Sequence, residues 1–116
     1  MQKILLLFAF VCLALPALHA QQQGRRVEVF FTHGHTQADL MNIKAELKAQ
    51  KILIDYNHMV FDADGHLTEL EFTVDCQDGY RGSAKTDSVP DDTKFGFYRD
   101  KRTDAVLPFG TGMIRQ

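Results

Sequence analysis

The chain has 116 residues, of which 45 % are hydrophobic and 24 % charged, and its formal net charge is −2. That length fits one small domain with a modest core. A mildly acidic balance, with no basic run longer than Arg25-Arg26, argues against nucleic acid or an anionic membrane surface as a partner.

The first element in chain order is a targeting signal. Lys3 precedes the apolar run Ile4–Leu15, Pro16 breaks that run, and Leu18-His19-Ala20 offers the small or aliphatic side chains that a signal peptidase reads. The run is too short to span a bilayer as a helix. Residues 1–20 are therefore expected to be removed after Ala20, which places the mature protein in the periplasm or outside the cell, with no membrane span left. Lys3 leaves with the signal, so 96 residues remain with twelve basic and fifteen acidic side chains, a net charge of −3. Cys12 leaves too. A lipid-attachment reading of it needs a small residue just before, and Phe10-Val11 stands there. Cys76 is then the single thiol, and no internal disulfide is possible.

Residues 21–26 form a polar spacer. Val27–Phe31 alternates apolar and polar before ending in two aromatics, which predicts a first strand. Thr32-His33-Gly34-His35 is a loop. Thr36 and Asp39 then approximate a capping box, and Leu40, Ile43 and Leu47 share one face of a helix from about Gln37 to Gln50. Ile52–Tyr56 begins a second strand that extends to Phe61, with Ile52, Ile54, Tyr56, His58 and Val60 expected on one face. Asp62-Ala63-Asp64-Gly65 reads as a turn. Leu70, Phe72, Val74 and Cys76 alternate strictly with Glu69, Glu71, Thr73 and Asp75, the pattern of a strand with one buried and one wet face. Asp78-Gly79 is a hairpin signal, and Tyr80–Thr86, with small Gly82 and Ala84, predicts a weaker edge strand. Beyond Asp87 neither period persists, although Phe95–Tyr98 has the composition of a short strand. The expectation is an α+β domain over residues 27–87, one helix on a three- to four-stranded antiparallel sheet in the order β-α-β-β-β, followed by an irregular, loosely ordered tail over 88–116.

The order of these motifs carries a resemblance. Thr-x-x-Asp-Leu-x-x-Ile-Lys-x-Glu-Leu-Lys over 36–48, Lys-Ile-x-Ile-Asp-Tyr over 51–56, the Asp-x-Asp-Gly turn, the alternating strand and Asp78-Gly79-Tyr80-Arg81-Gly82 follow one another. This resembles the small extracytoplasmic βαββ module at the C-terminal ends of membrane metallopeptidases of the beta-lactam-sensor type, which also exists as stand-alone secreted proteins. The resemblance covers about Val27 to Thr86 and lacks the peptidase part, since no His-Glu-x-x-His occurs. It implies a sensing or partner-contacting accessory domain and brings no functional residues with it.

Several residue groups have chemistry to weigh. His33 and His35, two apart on an extended segment, can face one side, and His58 or His66 can supply a third ligand for zinc or copper. A solvated loop explains the same histidines without a metal. Asp62 and Asp64 start like a calcium loop, but the sixth position holds Leu67 and the twelfth Thr73, so the match fails. Glu69 and Glu71 are two apart on one strand, a spacing compatible with a glycosidase pair, yet an open sheet face provides no cleft. Cys76 shares parity with the buried row and is expected to be an inert apolar filler. No Gly-rich phosphate loop, Gly-x-Ser-x-Gly elbow or Cys-x-x-Cys pair is present.

The reading from sequence is an exported, non-enzymatic binding or accessory domain without a cofactor, contacting a protein or peptide in the cell envelope. Its expected contact regions are the uncovered sheet face, an edge strand, or the aromatics Phe95, Phe97 and Tyr98, which otherwise complete the core with Phe109. The alternatives are a periplasmic metal-binding protein using His33, His35 and His58, and a small peptidase inhibitor or hydrolase.

Overall fold

The structure, a computed structural model, describes residues 26–114. The signal and all of the polar spacer except Arg26 lie outside these residues; Arg26 itself opens the first strand. The elements are β1 (Arg26–Phe31), α1 (Gln37–Ala49), β2 (Leu53–Phe61), β3 (Leu67–Asp75), β4 (Arg81–Thr86), β5 (Phe95–Asp100) and β6 (Phe109–Met113). They form an α+β fold with two three-stranded antiparallel sheets, ordered β1-β5-β6 and β2-β3-β4. The single sheet in β-α-β-β-β order is therefore corrected, among the described residues, to six strands in two sheets. Residues 88–114 are not an irregular tail, because they contribute β5 and β6.

The helix forms where its caps allow. Thr36 Oγ1 accepts the Asp39 backbone N–H at 3.3 Å, while Asp39 Oδ2 accepts that of Thr36 at 2.9 Å, so two otherwise orphaned donors are satisfied. These bonds, the backbone one from Thr36 first, hold the Asp39 carboxyl below its ordinary pKa. At the other end Lys51 N–H donates to Lys48 O and Ile52 N–H to Leu47 O, the pairing that closes a helix through a left-handed residue. Lys51 takes that conformation with φ 66°. Ile52 and Leu47 are both buried beneath the closure.

In β3 the alternating row behaves as its pattern predicts: Leu70, Phe72 and Val74, with Cys76 just past the strand, are buried. β2 departs from its pattern. A bulge between Tyr56 and His58 inserts one residue, so Ile54 and Tyr56 point inward but Met59 and Phe61 take over beyond it. His58 is thereby turned to the exposed face, where its Nε2 lies 3.1 Å from Glu69 Oε1. The expected single face through Ile54, Tyr56, His58 and Val60 is broken at Asn57.

β5 is the central strand of the other sheet, paired with β1 and β6. Phe95, Gly96, Phe97 and Tyr98 are all buried, because both faces of β5 are covered. Gly96 is required there, since a Cβ would collide with the Val29 carbonyl oxygen of β1. Phe72 joins the two sheets, with its ring 5.4 Å from Phe31, 5.8 Å from Phe95 and 6.4 Å from Phe97. The helix enters the same core through Leu40 and Leu47, and Tyr56 Oη donates to Leu40 O at 2.7 Å. Between the sheets, β4 and β6 lie side by side. Thr111 Oγ1 donates to Ser83 O at 3.1 Å, and the missing side chain of Gly82 leaves room for Phe109 and Thr111.

Candidate functional site

Two places on the surface have the geometry to engage something outside the chain. The first is the free edge of β1. This strand is hydrogen-bonded on one side only, to β5, so the backbone groups along its other side have no strand partner among the described residues. That edge opens onto a groove of about 560 Å³, walled by Arg26, Val27 and Glu28 on the strand and by Glu46, Ala49 and Gln50 on the last turns of α1. It borders β1 over Arg26–Glu28, the first half of the strand. Arg26 is anchored at its end: the guanidinium stacks 4.7 Å from the Tyr98 ring centroid and pairs with Glu28 at 3.1 Å and Asp100 at 3.4 Å.

The second place is where the β1–α1 loop meets the β2–β3 turn. His33 lies in a turn that the chain closes twice, by His35 N–H donating to Thr32 O at 3.1 Å and by Thr32 N–H donating to His35 Nδ1 at 3.0 Å. Asp62 and His66 flank the second turn. Asp62 Oδ1 accepts the backbone N–H of Asp64 and of His66, each at 3.0 Å, while Asp62 N–H donates to His66 O at 2.9 Å. Gly65 makes the reversal possible with φ 84°. A cross-link, Leu67 N–H to His35 O at 2.9 Å, fixes the two turns against each other. Asp62 Oδ2 consequently sits 3.1 Å from His33 Nε2, and the His33 and His66 rings lie 5.5 Å apart. Donor atoms of His33, Asp62 and His66 all fall within 4.8 Å of one another. The Asp62 carboxyl is held below its ordinary pKa, chiefly by the His66 backbone N–H.

The residues singled out from sequence are distributed differently. His33 belongs to this cluster. His35 does not: its Nδ1 is occupied by the Thr32 N–H and its ring stands edge-on to Phe31 at 6.2 Å, so it builds the turn. His58 is on the outer face of the β2–β3 pair with Glu69. Phe95 and Phe97 lie in the core, and Tyr98 is buried under Arg26, so the three fill the interior rather than presenting a surface. Glu69 and Glu71 stay on the open face of β3. Burial, ahead of the nearby Asp78 charge, pushes the Cys76 thiol up to about 11 and leaves it an unreactive filler. Asp62 is the member of the cluster that the sequence conceals, because its turn-forming role accounts for it without reference to any histidine.

No protein-family model, curated protein or solved structure matches the chain. Among the described residues no helix is long and apolar enough to cross a membrane.

Proposed function

We propose that the protein is an exported, non-enzymatic binding domain that takes an extended segment of a protein partner along the free edge of β1. The observation that carries this reading is the groove between β1 and the end of α1. An unpaired strand edge supplies a row of backbone donors and acceptors, and a partner strand that pairs with it gains affinity from main-chain bonds and specificity from the flanking side chains. Here the flanking groups are the Glu46, Ala49 and Gln50 surface of α1 on one wall and the alternating side chains of β1 on the other. The βαββ resemblance, with its partner-contacting role, supports the same reading.

A photo-reactive benzoylphenylalanine placed at Ala49, which is exposed in the groove, tests it in the producing cells, with Lys85 on β4 as the control position. The expected result is a discrete cross-linked adduct from position 49 and none from position 85. No adduct from position 49, or the same adduct from both, overturns the proposal.

A further inference from the structure

We propose that His33, Asp62 and His66 form a binding site for a divalent transition-metal ion of the zinc class. The local turns leave part of this cluster unexplained. Capping the β2–β3 turn uses Asp62 Oδ1 alone, which takes both backbone N–H groups. The other carboxylate oxygen, Oδ2, is aimed out of the turn, and its one partner is an imidazole nitrogen from a loop 29 residues earlier in the chain. His66 brings a second imidazole to the same point. Neither His33 nor His66 fills the core; each remains partly accessible, so an ion can reach them from solvent.

The geometry is close to what coordination needs. Ligand atoms about 2.0–2.2 Å from a tetrahedral zinc lie roughly 3.3 Å from one another. His33 Nε2 and Asp62 Oδ2 are already 3.1 Å apart, and the whole donor set spans no more than 4.8 Å. What remains to be closed, from 4.8 Å to about 3.3 Å, is a distance that side-chain torsions would have to supply. The backbone is held in place by the bonds that close both turns and by the Leu67 N–H to His35 O bond between them. The two N–H bonds to Asp62 Oδ1 act as the outer shell that orients a ligating carboxylate.

Chemistry narrows the ion. Two imidazoles and one carboxylate suit zinc, cobalt(II), nickel or copper(II); calcium and magnesium prefer all-oxygen sets, and copper(I) prefers thiolates or thioethers. Three protein ligands leave at least one coordination position for water or an outside donor. This site is separate from the β1 groove, and its existence does not depend on the binding function proposed for that groove.

Titration calorimetry of the tag-free protein with zinc chloride tests the site, together with the visible spectrum of the cobalt(II) form. The expected result is one equivalent bound, with cobalt d–d absorption typical of nitrogen and oxygen ligands and no thiolate charge-transfer band. His33→Ala and His66→Ala should each weaken binding at least tenfold, whereas His58→Ala should leave it unchanged. Asp62→Asn keeps the Oδ1 acceptor for the turn while removing the anionic donor, and its thermal unfolding shows that the fold survives as binding weakens. Absence of one-to-one binding overturns the site, as does binding that His33→Ala and His66→Ala leave intact or that His58→Ala abolishes.

Discussion

Asp100 shows how a single side chain is committed by its surroundings. It is 2 % exposed at the end of β5, the one charged residue buried among those described. Arg102 grips it with Nη2 to Oδ2 at 2.6 Å and Nε to Oδ1 at 2.9 Å, and its own backbone N–H adds a third bond at 3.1 Å. Arg26 reaches the same carboxylate from β1. These contacts, the Arg102 side chain foremost, hold the Asp100 carboxyl well below the usual carboxylate range. A depressed folded-state pKa gives stability that is complete above the unfolded value near 4 and is lost as pH falls below it. Asp100→Asn is therefore expected to lower the urea midpoint at pH 7, with the difference from the parent protein shrinking at pH 3. Equal differences at the two pH values would mean that the carboxylate charge contributes nothing.

Among the elements, α1 and β3 were the most legible. The capping box and the Leu40, Leu47 stripe of α1 are local features, and the helix spans almost the residues its pattern marked. Thr36→Ala removes the acceptor for the Asp39 N–H and is expected to cost about 1 kcal/mol, read from the urea midpoint at constant slope. β5 was less legible for a physical reason. A strand covered on both faces shows a run of buried residues instead of an alternation, and Gly96, buried but without a side chain, breaks the apolar run that would mark it in the sequence. β6 hides further: Gly110 is small because Tyr98 lies over it, where a Cβ would come within 2.6 Å of the ring, so its side chain carries no periodic signal. In β2 the pattern was correct up to Tyr56 and failed at the bulge. An inserted residue changes parity without changing composition.

At the scale of the molecule, the local pairings β2–β3 and β3–β4 were legible from the Asp62–Gly65 turn and the Asp78-Gly79 hairpin signal, but the long-range partners were not. Alternation identifies a strand but not a distant neighbour, so the second sheet could not be foreseen, and although His33 and His66 were weighed together as ligands, Asp62 was not placed with them. Those residues meet because two turns 29 residues apart are bonded together. The sequence boundary at Asp87 divides what the fold joins, since Phe95 and Phe97 pack on Phe72 from beyond it. A chain ending at Asp87 should therefore lack a cooperative unfolding transition. It would lose the central strand of one sheet and leave Phe72 without the facing rings of Phe95 and Phe97. A sigmoidal melt from such a chain, followed by near-ultraviolet dichroism, would show that the β2-β3-β4 sheet and the helix suffice.

The pairing of β1 with β5 joins Arg26 to Asp100, 74 residues later. Closing a loop of that length must precede any reward from the contacts it brings, which slows folding relative to local hairpins such as β2–β3. During synthesis, β1 emerges well before its true neighbour, Arg26 preceding its partner Asp100 by 74 residues. Val27–Phe31 thus spends that interval as an unclaimed apolar strand, open to chaperones and to other chains before its own β5 arrives.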